Sequence, residues 1–170
     1  EGGYADRAVV GVDALSSVPD GLDLTVAAAL LHDGPTALAL FDVTKVSPGD
    51  AVVVVGASGG LGVLLVQLGR ASAARVVAVA RGAKLDRCAN SANAVIDSEH
   101  PDWLAQARAA LPATGADVVL DNVGGDLGEA GFTLVAPGGR FSGHGTPSGR
   151  FAHVDQSTAA RQGATVTGIE

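Results

Sequence analysis

At 170 residues, 47% of them hydrophobic and 17% charged, the chain is sized for one well-cored domain and is short for two. No apolar run approaches the length of a membrane span, so a soluble globular protein is expected. A formal net charge of −7 argues against nucleic acid as the main partner, and the lone Cys88 cannot form an intrachain disulfide.

No signal or transit segment is visible at the start, which makes the cytoplasm the default location. Methionine is absent, even at position 1, so the sequence is expected to be a piece of a longer chain. Residues 2–22 alternate weakly around Ala8 to Val12 and end in the turn signals Val18-Pro19 and Asp20-Gly21. They predict a strand or two plus a loop, with too little apolar surface to fold alone. Residues 25–31 and 35–41 predict two short helices broken at Asp33-Gly34, the second with Pro35 in its tolerant first turn.

A turn at Ser47-Pro48-Gly49-Asp50 then leads into Ala51–Val55, where four consecutive valines suit a strand buried on both faces. This strand stops at Gly56 and opens, through Gly59 and Gly62, into an apolar helix, with a second hydrophobic strand over Arg75–Ala80. Three glycines at that spacing are weak as a motif and become specific in a strand–turn–helix–strand context. A phosphate needs exposed N–H groups, no Cβ in the way and the positive end of a helix, and this turn offers all three.

Beyond it, helices are predicted over residues 84–90, 103–111 and 127–134, and strands over 94–96, 116–120, 139–142 and 164–169. Strand and helix alternating at short intervals predict an α/β, Rossmann-type doubly wound parallel sheet with helices on both faces. The expected strand order is 3-2-1-4-5-6, with ligand outside the carboxyl ends.

The end of the second strand bears on cofactor choice. A carboxylate there would accept from the adenosine ribose hydroxyls and repel a 2′-phosphate, and a basic residue does the reverse. Here Arg81 closes the strand, Lys84 follows, and the first acid is Asp86 inside the next helix, which favours NADPH. Alternatively the two cations are ordinary solvated charges, although cations are disfavoured near a helix start.

The stretches GASGGLGVLLVQLGR (56–70), VVAVARGAKLDR (76–87), AVID (94–97), GADVVLDNVGGD (115–126) and APGGRFSGHG (136–145) together resemble the zinc-independent quinone oxidoreductases of the medium-chain dehydrogenase/reductase superfamily. GGYADRAVV and VPDGLDLTVAAALLHDGPTAL upstream fit the same family, so the similarity covers nearly the whole chain in order. The resemblance implies that Ser58, Gly59, Gly60 and Leu61 carry the pyrophosphate and that Lys84, with Arg81 beside it, holds the 2′-phosphate. It places Thr36 near the nicotinamide, and Asn122, Val123, Gly143, His144 and Gly145 along the cofactor cleft. Many relatives have a tyrosine near the adenine end where this chain has Ser98. The resemblance further implies that residues 1–21 are the tail of a barrel-like catalytic domain, that 22–170 are a dinucleotide-binding domain truncated at its C-terminal end, and that the family's homodimer pairs through an edge strand.

On this resemblance the chain is the cofactor-binding part of an NADPH-dependent oxidoreductase acting on a small-molecule quinone, enone or similar conjugated carbonyl, with neither nucleic acid nor membrane as partner. Its alternatives are a non-catalytic NADPH-binding module and a relative of the zinc-dependent alcohol dehydrogenases. In those zinc enzymes a metal ligand sits where His32 stands, but one imidazole falls short of three protein ligands. His144 either approaches nicotinamide or substrate, or fills a turn. His100, His153 and Cys88 have no partners at informative spacing, and Trp103 is expected to anchor its helix to the sheet. A short-chain dehydrogenase would need a Tyr-x-x-x-Lys pair, which the sole tyrosine, Tyr4, does not make.

Overall fold

The computed structural model describes residues 4–168. Six parallel strands, β1 (Ala51–Val55), β2 (Arg75–Ala80), β3 (Ala94–Asp97), β4 (Ala116–Asp121), β5 (Val135–Gly143) and β6 (Thr165–Gly168), lie in the order β3-β2-β1-β4-β5-β6. This is the predicted doubly wound order, with β1 paired to β2 (Val52 opposite Val76) and to β4 (Val52 opposite Val118). Position 169, the last of the predicted sixth strand, lies outside the described residues.

Helices α1 (Leu24–Thr44), α2 (Gly60–Ala71) and α3 (Asp86–Ala89) cover one face of the sheet. On the other lie α4 (Trp103–Ala109), α5 (Gly125–Phe132) and α6 (Gln156–Gln162). Because side chains alternate along a strand, Val52 and Val54 join the first core with Leu40, Leu65 and Val66, while Val53 and Val55 join the second with Phe132 and Phe141. All four valines are fully buried, each worth about 1.5–3 kcal/mol over an exposed position. Trp103 packs against the second core, as expected.

The start of the chain departs from expectation. Residues 4–22 form no strand, only a short 3₁₀ turn at Val12–Ala14. Val9, Val12 and Leu15 are exposed, and the turn buries none of its residues. Gly2 and Gly3 lie outside the described residues.

The predicted break at Asp33-Gly34 is absent, because α1 runs for 21 residues through Gly34 and Pro35. Asp23 caps it, accepting from the amides of Thr25 (2.8 Å) and Val26 (3.3 Å). Pro35 removes the helical donor for the Leu31 carbonyl, and Leu31 is exposed to solvent. By length and composition alone α1 is long and apolar enough to cross a membrane, contrary to the expectation that no apolar run approaches that length. Its second half is tied to the domain instead: Ala37, Leu40 and Phe41 pack on the sheet. Arg140 of β5 donates to the carbonyls of Thr44 (3.0 Å) and Lys45 (2.7 Å) and pairs with Asp50 at 2.9 Å.

Other differences are local. The helix predicted over 84–90 is a 3₁₀ turn, Gly82–Lys84, followed by the four-residue α3. The fifth strand begins at Val135, with a register irregularity opposite Ala116/Val118, and α5 starts two residues early. Helix α6 was not expected; Asp155 caps it through the amides of Ser157 and Thr158.

Candidate functional site

At the carboxyl ends of β1, β2 and β4 a cleft of about 700 Å³ opens between the glycine turn and the loop after β5. The turn is held over β2, since the amides of Gly56 and Ala57 both donate to the Val79 carbonyl at 2.9 and 3.0 Å. Gly56 takes φ 75°, a conformation L side chains rarely adopt, and a Cβ there would meet Val123 Cγ2 at 2.6 Å. Gly62 lets α2 lie against the turn: a Cβ would stand 2.3 Å from the Gly56 carbonyl oxygen. The amides of Gly60, Leu61 and Gly62, the first three of α2, have no acceptor among the described residues. They are free donors at the positive end of a 12-residue helix, the requirement for binding an anion.

Cations stand where β2 ends. Arg81 and Lys84 both line the cleft. Glu99 lies 3.6 Å from Arg81 Nε, an exposed and weak pairing, while Lys84 makes no ion pair among the described residues.

On the opposite wall a polar chain fixes Asn122 and His144. Asn122 Nδ2 donates to the Val55 carbonyl at 2.9 Å, so its Oδ1 faces His144 Nε2, also at 2.9 Å. His144 Nε2 must then carry the proton, leaving Nδ1 to accept from the Ser142 hydroxyl at 3.1 Å. Burial pushes the imidazole down to about 4, which keeps it neutral near pH 7. Behind it Asp121 is fully buried; its carboxylate accepts from the amides of Val123 (2.9 Å) and Gly124 (3.0 Å), and burial raises its pKa. The Asp121 carbonyl accepts from the amides of both His144 and Gly145, closing the loop onto β4.

Comparison with known proteins fits this geometry. Residues 60–169 match the family described as zinc-binding dehydrogenase. The chain belongs to that family. It is 33% identical over 149 residues to a probable quinone oxidoreductase of Schizosaccharomyces pombe, covering 87% of this chain and 45% of the relative. It is 32% identical over 144 residues to the phenolphthiocerol synthesis polyketide synthase Pks15/1 of Mycobacterium marinum, covering 82% of this chain and 7% of the relative. The quinone oxidoreductase of Thermus thermophilus, solved also with NADPH, superposes with a TM-score of 0.85 at 31% identity, covering all of this chain and 55% of that one. The chain therefore spans about half the length of the quinone oxidoreductases it matches, and within the medium-chain superfamily it is a quinone oxidoreductase-like cofactor-binding domain.

Within this domain, Ser58, Gly59, Gly60, Leu61, Arg81, Lys84, Asn122, Val123, His144 and Gly145 line the cleft, and so does Ser98. Two residues marked in the sequence do not. Thr36 donates its hydroxyl to the His32 carbonyl of its own helix at 3.0 Å, and Gly143 is held within the β5 ladder opposite Asp121 and Gly168. His32 is exposed and pairs with Asp33 at 2.9 Å; among the described residues no three His, Cys, Asp or Glu side chains gather as metal ligands. Cys88 is buried in the first core, and burial raises its thiol pKa. His100 Nδ1 accepts from the Asp102 amide at the start of α4.

Pro147 and Ser148 also line the cleft, and nothing local in the sequence marked them. Their loop is latched to α5 by Arg150, which pairs with Asp126 and Glu129 and accepts at its carbonyl from the Gly125 amide. The Ser148 amide in turn donates to the Val123 carbonyl.

Proposed function

We propose that this domain binds NADPH and forms the cofactor half of an oxidoreductase that passes hydride to a quinone, an enone or a similar conjugated carbonyl. The observation that carries the cofactor choice is the pair Arg81 and Lys84 at the end of β2, in the same cleft as the free amides of α2. Cations at this point favour a 2′-phosphate and leave the ribose hydroxyls of NADH without a carboxylate partner. The similarity to quinone oxidoreductases, one of them solved with NADPH, supports the same choice and supplies the substrate class.

When bound, the nicotinamide supplies the hydride, and the protein contributes binding, orientation and electrostatics. The amides of Gly60, Leu61 and Gly62 receive the pyrophosphate, while Lys84 and Arg81 receive the 2′-phosphate. Asn122 and His144 form a rigid polar wall opposite. His144 is no proton donor to product, because its single N–H is spent on Asn122 and its pKa lies near 4.

A second reading of the substrate keeps the same hydride chemistry and directs it to the conjugated double bond of an acyl thioester. The similarity to a polyketide synthase favours it.

The test is a titration of the chain with NADPH and with NADH, followed by nicotinamide fluorescence and repeated with Lys84→Ala. We expect tighter NADPH binding, reduced about tenfold in the variant while NADH binding is unchanged. Equal binding of the two dinucleotides, or an NADPH affinity indifferent to Lys84, overturns the cofactor choice.

A further inference from the structure

Arg87 lies on α3, three residues beyond Lys84, and is exposed. Its guanidinium does not point idly into solvent: Nη1 donates to the carbonyl oxygen of Ser58, in the glycine turn, at 3.3 Å. The amide on the other side of the same peptide, that of Gly59, donates to the Gly56 carbonyl at 3.2 Å. A peptide is planar with its C=O and N–H on opposite sides, so bonds at both ends fix the orientation of the whole unit. Immediately after this peptide come the three free amides of α2. Were the Ser58–Gly59 unit to rotate, a carbonyl dipole would swing toward the site in which those amides must meet negative charge. Three glycines among residues 56–60 give this turn little other resistance to rotation.

We propose that Arg87 is a positioning residue for the phosphate-binding turn, holding the Ser58 carbonyl so that the amides of Gly60, Leu61 and Gly62 face the pyrophosphate. The proposal rests on reading the cleft as a dinucleotide site, and it assigns Arg87 a role distinct from that of Lys84. Lys84 acts on the phosphate that separates NADPH from NADH. Arg87 acts on the backbone that meets the phosphates common to both.

The experiment compares dissociation constants for NADPH and NADH in the wild-type chain, Arg87→Met, Arg87→Lys and Lys84→Ala, with thermal unfolding to show that each is folded. Arg87→Met is expected to weaken both dinucleotides by a similar factor, about tenfold, leaving their ratio unchanged. Arg87→Lys, which keeps a charged donor, recovers most of the loss. In the free protein, Arg87→Met also moves the ¹³C chemical shift of the Ser58 carbonyl, and Lys84→Ala does not. If the wild-type chain binds neither dinucleotide, the cofactor reading fails. If it binds and Arg87→Met binds equally well, the role of Arg87 is overturned while the cofactor reading stands. A loss confined to NADPH makes Arg87 a 2′-phosphate contact and equally overturns the proposal. Should Arg87→Met fail to fold, Arg87→Lys decides alone: an unmoved Ser58 carbonyl with weakened binding refutes the strut.

Discussion

Gly62→Ala sets two physical rules against each other. On helix propensity alone, alanine inside α2 gains about 1 kcal/mol over glycine. The structure reverses the sign, because a Cβ at this position would stand 2.3 Å from the Gly56 oxygen and 2.8 Å from two backbone atoms of Ala57. All three belong to the backbone of the glycine turn, so no side-chain rotation relieves them, and α2 must retreat by about 1 Å to reach ordinary contact. Overpacking of this kind costs about 1–3 kcal/mol, which leaves a net loss of up to about 2 kcal/mol after the propensity gain. The same retreat carries the amides of Gly60 and Leu61 away from Arg81 and Lys84, and dinucleotide affinity is expected to fall tenfold or more. Urea unfolding reads the first effect and fluorescence titration the second. Gly59→Ser is the control, since a Cβ there meets only the Gly56 oxygen at 3.5 Å and serine is a favoured N-cap; its stability should stay within about 0.5 kcal/mol of wild type. A Gly62→Ala protein as stable as Gly59→Ser, with undiminished binding, refutes the reasoning.

Gly34 is the counter-example within α1, because a Cβ there meets Leu30 Cβ at an ordinary 3.6 Å; Gly34→Ala should raise stability by about 1 kcal/mol in the same urea assay. His144 titrates near 4 in the folded chain and near 6.5 when unfolded, so between these values the unfolded state holds the extra proton. Stability therefore falls as pH is lowered from 6.5 to 4, by about 3 kcal/mol over the full window, and His144→Gln should flatten that part of the curve. Asp121, with its pKa raised by burial, works in the opposite direction as pH falls through its own range, and the difference between wild type and His144→Gln isolates the histidine. Asn122→Asp removes the donor to Val55 and sets a carboxylate oxygen against that carbonyl. Stability at pH 8 should drop by about 2 kcal/mol, and an unchanged unfolding midpoint would contradict the polar chain described above.

The glycine turn and the pair Arg81 and Lys84 were legible in the sequence because each is a local signal, and strand order because strands and helices alternate along the whole chain. A run of four valines between turn residues has few ways to be buried other than as a central strand. A helix that opens on glycines shows its free amides through composition alone. The errors fell where local preference competes with packing. Gly34-Pro35 reads as a break, yet Ala37, Leu40 and Phe41 beyond it and the Asp23 cap before it hold one continuous helix. Ala8, Val10 and Val12 alternate weakly like a strand, but the described residues offer them no strand with which to pair. Helix α6 has little apolar periodicity, and the local signal that could have found it was Asp155, which caps the amides two and three residues on.

The sequence by itself determined the α/β class, because side-chain periodicity follows from neighbours a few residues apart. It also determined the parallel order and the end carrying the phosphate-binding turn, because strands alternating with helices wind right-handedly into one parallel sheet with its ligand at the carboxyl ends. Only the tertiary structure decided the cleft's walls. Asn122 meets Val55 across 67 residues, His144 meets Asn122 across 22, and Arg87 meets Ser58 across 29. The tertiary structure alone fixed the protonated nitrogen of His144 and the latch that brings Pro147 and Ser148 to the cleft. A proton's position and a loop's wall depend on which groups stand within about 3 Å in space, and separation along the chain carries no record of that distance.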